Sequence, residues 1–123
     1  MAVMLTIKDY VIDHDMDCVF LCETWLTSSR QRICGDLTPT GYKLRALNRK
    51  GKRGGGVAVL HKSNILVNDV VDLTTSSLEG LGVTITASKR FRVVLLYRLK
   101  PSVNNPREAF LNDLQDIIEH LIL

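Results

Sequence analysis

The sequence predicts an α/β chain in which a sheet carries helices on its outer side. Three observations predict it. Both ends read at helical period, the stretch between them alternates or runs apolar at strand length, and no internal repeat suggests a solenoid. With 123 residues, 46% of them hydrophobic, the chain has material for one core and not comfortably for two, so residues 1–123 are read as a single unit. Its longest uninterrupted apolar run, Val93 to Tyr97, is far below a membrane span. Ala2 to Leu5 is too short for a signal-peptide core, so the expectation is an intracellular chain, in nucleus or cytoplasm, that is not secreted and has no membrane partner. Three cysteines do not make a disulfide framework, and no disulfide-linked partner is expected.

The elements follow in order. Leu5, Ile7, Tyr10, Val11 and His14 recur at helical spacing, which predicts a helix over about 4–14, broken by Asp15 to Asp17. Val19 to Cys22 is a short apolar run between acids and reads as a strand buried on both faces. Thr27 to Gly41 has loop composition. Tyr42 to Ala46 reads as a short strand entering a basic, glycine-rich segment, Asn48 to Gly56, that cannot pack a core. Val57 to His61 and Ile65 to Val71 read as strands whose three-residue separation suits a hairpin. Leu81 to Thr86 alternates, Phe91 to Tyr97 is nearly all apolar, and Ala87 to Arg90 is the turn between them. Pro106 then opens a helix with Phe110, Leu111, Leu114, Ile117, Ile118 and Leu121 on one face.

The net charge of +3 hides an asymmetry. Residues 27–106 hold fourteen Lys/Arg against Asp36, Asp69, Asp72 and Glu79, while both ends are acidic. The middle is therefore the part suited to a polyanion. Within it, Lys43, Arg45, Arg49, Lys50, Lys52 and Arg53 form a run without an acid, and Gly51 and Gly54 to Gly56 let a backbone come close. A nucleic-acid contact through Arg49, Lys50, Lys52 and Arg53 and a solvated loop are both open. A Walker loop is excluded, because Val57 and Ala58 stand where Lys and Ser or Thr would follow the glycines.

Glu23 ends the first apolar strand, and a carboxylate there either holds a hard divalent cation or reaches water or an arginine. Tyr97 and Arg98 end another. Both can contact phosphate, or they are a rim aromatic beside a solvated charge. The two ends gain meaning only on a shared edge. His14, His61 and His120 have no zinc spacing with a cysteine; Cys18 and Cys22 read as small buried residues, and Cys34 as a loop thiol.

The runs Asp17 to Leu26 with its Glu-Thr-Trp, Pro39 to Tyr42, Arg53-Gly54-Gly55-Gly56-Val57-Ala58, Leu78 to Leu81, and Val93 to Arg98, in that order, resemble the endonuclease/exonuclease/phosphatase superfamily. Within it they are most similar to the endonuclease domains of non-LTR retrotransposon reverse transcriptases. The resemblance implies a two-layer β-sandwich flanked by helices, roughly the first half of such a domain. It also implies Mg²⁺-dependent cleavage of DNA phosphodiesters, with Glu23 as metal ligand, Tyr97 as the catalytic-site contact to the scissile phosphate and Arg98 beside it.

Two departures accompany the resemblance. Leu99-Lys100-Pro101 stands where the family has two prolines. The family's opening Asn strand, its Gly-Asp-Phe-Asn and its Ser-Asp-His have no counterpart in residues 1–123, so the expectation is a partial domain without the residues that activate water, and hydrolysis is expected to fail. The alternatives are a non-catalytic nucleic-acid-binding module and a degenerate retroelement-derived reading frame whose single sheet exposes an apolar face.

Overall fold

Val57 to His61 are all buried, and a strand with two buried faces has to lie between neighbours on both edges. In the computed structural model, which describes residues 2–22, 24, 38–47, 56–100 and 106–122, this is what β3 (Val57–Lys62) does. β1 (Cys18–Cys22) and β2 (Tyr42–Leu47) flank it, both antiparallel, in the order β1-β3-β2. Cys22 and Leu47 both face Val57, and Cys18 and Lys43 both face His61.

A second antiparallel sheet has the order β4-β5-β6, from β4 (Leu66–Asp72), β5 (Leu78–Thr86) and β6 (Arg90–Arg98). β5 is central, and only its last residue is not buried. Val57 and Val59 from the first sheet meet Val67, Leu81, Val83 and Ile85 from the second, with Phe20, Leu47, Val93, Leu95 and Tyr97 packed around them. The protein is thus mixed α/β, with two three-stranded sheets facing one another across one apolar layer.

Three expectations change. β3 and β4 do not form a hairpin. Both edges of β3 are taken by β1 and β2, Ser63 N–H donates to Gly41 O (2.8 Å), and Ile65 N–H closes a tight turn on Lys62 O (3.1 Å) that carries the chain into the other sheet. Nor is there a single sheet with one naked apolar face, since each covers the other. β5 also starts at Leu78 rather than Leu81, because pairing of Leu78, Glu79 and Gly80 with Arg98, Tyr97 and Leu96 overrides the poor strand propensity of an acid and a glycine.

Helix α1 (Ala2–Asp13) ends as the acidic run predicts. Asp15 adopts φ 49°, its N–H reaches Ile12 O and Met16 N–H reaches Val11 O, both at 3.1 Å, which is a Schellman cap with aspartate in the left-handed position. Lys62 then bridges Asp15 (2.7 Å) and Asp17 (3.3 Å), and Tyr42 Oη donates to Met16 O (2.6 Å), tying the helix end to the first sheet.

Helix α2 (Arg107–Ile122) follows Pro106. Its apolar stripe is narrower than the sequence indicates. Ile117 is buried and Phe110 and Leu114 partly so, but Leu111 and Ile118 are exposed.

What holds α2 to the second sheet includes a polar contact: Asp113 Oδ2 accepts bonds from Ser77 Oγ (2.5 Å) and Thr75 Oγ1 (2.7 Å) in the β4–β5 turn. Ser77 is fully buried, so its hydroxyl needs that acceptor. Those bonds, the Ser77 one foremost, hold the Asp113 carboxyl below the usual carboxylate range. A depressed folded-state value contributes stability above the unfolded pKa, and the contribution disappears as pH falls through the folded value. Asp113→Ala is therefore expected to cost about 1–2 kcal/mol at pH 7, read as a lower urea midpoint. The gap to the parent should narrow as pH falls below the ordinary carboxylate value and through the depressed folded one; a gap that does not change with pH would exclude the carboxylate as its source.

Candidate functional site

Tyr97 lies near the C-terminal end of β6, half-buried, on the face that packs on the inter-sheet core. Its cross-strand partner is Glu79, and directly paired residues project from the same face. Glu79 is only 4% exposed, a burial a carboxylate tolerates only with hydrogen-bonding partners. One partner comes from the opposite sheet. Gly56 N–H, just before β3, donates to Glu79 Oε2 at 2.9 Å. Gly56 sits at φ 92°, where a side chain would be strained, and its carbonyl accepts Thr24 N–H at 3.3 Å.

The ends of five strands therefore meet at one edge. They are the exits of β1 (Cys22), β2 (Leu47) and β6 (Tyr97), and the starts of β3 (Val57) and β5 (Glu79). The exits of β1 and β6 thus lie at one edge. Glu23, Arg49, Lys50, Lys52 and Arg53 lie outside the described residues. Among the described residues, Cys22 and Leu47 both pair with Val57, and Thr24 N–H donates to Gly56 O.

Arg98 does not share the face of Tyr97. Consecutive strand residues project to opposite faces, and the Arg98 guanidinium lies 5.0 Å from the ring centroid of Phe110 on α2, a cation–π contact. The Tyr-Arg pair is thus split between the edge and the helix-covered face.

His61 lies five residues along β3 from Gly56, about 16 Å of strand. It is buried, its Nδ1–H donates to Lys62 O (2.9 Å), and its Nε2 has no partner among the described residues. His14 stacks on Tyr10 and His120 is in the last turn of α2. Burial, and then the charge of Asp17, push the Cys18 thiol up, which disfavours the reactive thiolate. An open depression lined by Asp15, Thr40, Tyr42, Lys62 and Asn64 lies at the other end of β3.

Among the described residues no three or more His, Cys, Asp or Glu side chains converge as a metal site would, and no helix is long and apolar enough to cross a membrane. Sequence reasoning missed Glu79 as a site residue. The available signal was an acid just ahead of the alternating stretch Leu81 to Thr86. No family model, curated protein or solved structure matches this chain.

Proposed function

We propose that this chain is an endonuclease-like domain of the endonuclease/exonuclease/phosphatase kind that engages the DNA backbone at the edge where the five strand ends meet. The observation that carries the proposal is that Tyr97, Glu79, Gly56 and the exit of β1 come together, through cross-strand pairing and the 2.9 Å bond between the sheets. In this reading the Tyr97 phenol donates to a phosphate oxygen, and Arg49, Lys50, Lys52 and Arg53 neutralise neighbouring phosphates. Glu23 would hold Mg²⁺ together with substrate phosphate, since that ion commonly takes one or two carboxylates and phosphate oxygens. The ion would supply charge stabilisation at the scissile phosphate.

A second reading, a nucleic-acid-binding module without catalysis, is favoured by the position of His61, which lies about 16 Å along β3 from Gly56 at this edge. Plasmid nicking with Mg²⁺ and DNA retention at increasing salt separate the two. Nicking that Glu23→Ala abolishes supports a nuclease. Retention without nicking supports the binding module, and replacing Arg49, Lys50, Lys52 and Arg53 together by Ala is then expected to lower the log–log salt slope by about three to four. A folded protein that neither nicks nor retains DNA overturns both readings.

A further inference from the structure

Resting on that reading of the edge, we propose that Glu79 is a positioning residue: it clamps the start of β3 to the β5–β6 ladder and so fixes where Tyr97 is presented to phosphate. On the inner face of β5, Leu81, Val83 and Ile85 follow Glu79 at alternate positions, and all are apolar. An apolar residue at position 79 would fill the same space without a desolvated charge, so the carboxylate calls for a polar explanation.

The bond to Gly56 supplies one. It is a bond between sheets, from a residue 23 positions earlier in the chain. Gly56 cannot turn its N–H elsewhere cheaply, because the next residue, Val57, is paired in β3 and the Gly56 carbonyl is engaged by Thr24. The contacts run from Thr24 through Gly56 and Glu79 to Tyr97, from the exit of β1 to the exit of β6. Loss of the carboxylate would free the start of β3 from this ladder and let the Tyr97 ring take other positions.

The test compares Glu79→Gln, whose amide oxygen can still accept from Gly56, with Glu79→Ala, which cannot. Three measurements are made on the full chain: amide exchange at Gly56 and the ring resonances of Tyr97 by NMR, and retention of a labelled DNA duplex. In Glu79→Ala the Gly56 amide is expected to exchange about tenfold faster, the Tyr97 ring signals to shift, and the DNA dissociation constant to rise about tenfold. In Glu79→Gln all three should stay near the parent values. An unchanged Gly56 exchange rate or unmoved Tyr97 signals in Glu79→Ala would overturn the proposal, as would a Gln variant as defective as the Ala one. If the parent chain binds no DNA, the functional reading fails on that arm alone, while the exchange and ring-signal arms still decide the role of Glu79. If Glu79→Ala does not fold, the Gln variant decides: parent-like values on every arm uphold the clamp, and a changed Gly56 rate or shifted Tyr97 signals refute it.

Discussion

Leu81→Ala is expected to remove about 3 kcal/mol of stability, within the range for emptying a fully buried leucine site. Leu81 has no exposed surface and sits in the middle of β5, where the two sheets meet, between Glu79 and Val83 on the same face. Its neighbours are β-branched or held in ladders, so the cavity cannot collapse easily and the cost stays well above that of transfer alone. Against a total of about 5–15 kcal/mol for an ordinary domain, that is a sizeable fraction. Urea unfolding followed by far-UV circular dichroism measures it. A loss below about 1 kcal/mol would mean that the two sheets do not share one packed layer.

Gly80→Val is expected to cost a similar amount, about 3 kcal/mol, by the opposite mechanism of overpacking. A Cβ at Gly80 would stand 2.9 Å from Leu73 Cβ, 3.0 Å from Leu96 Cδ2 and 3.3 Å from the Leu73 carbonyl carbon. Leu96 can swing its methyl aside. Leu73 cannot retreat, because its N–H is bonded to Gly80 O (3.0 Å) and the next residue's Thr74 Oγ1 accepts Gly80 N–H (3.2 Å). The gain of about 0.5–1 kcal/mol from replacing a strand glycine is too small to offset this. Gly82 is the internal control. The nearest atom to a Cβ there is 3.4 Å away at the tip of Leu73, and Gly82→Ala should be close to neutral. Equal effects at the two glycines would show that backbone propensity, and not the approach of Leu73, sets the cost.

Gly80 and Leu81 also illustrate what a sequence can and cannot convey. The elements were legible because period and composition are local. Leu5 to His14 at helical spacing, Val57 to His61 as an apolar run and the helix behind Pro106 all form within a residue or two of the expected bounds. The start of β5 was not legible, since Glu79 and Gly80 have poor strand propensity and are held by partners nearly twenty residues away in β6. The separation of β3 from β4 was equally hidden. Three residues between two strands favour a hairpin, but only if β3 has an edge to offer, and both are occupied.

The candidate site divides in the same way. Tyr97 was legible as a residue at the end of an apolar strand, and so was the basic, glycine-rich run before β3. That Arg98 turns to Phe110 depends on a helix arriving from further along the chain. The part-buried partnership of Asp113 with Ser77, 36 positions apart, has no local pattern at all.

By itself, then, the sequence determined where most of the helices and strands lie and which stretch is basic, because each depends on neighbours a few positions away. Only the tertiary structure decided that five strand ends share one edge, and that the Glu79 carboxylate bonds across the two sheets there. The physical reason is that strand partners and burial are settled by whichever unsatisfied edges and faces meet in space, and a buried carboxylate becomes tolerable only once the Gly56 amide has been brought to it.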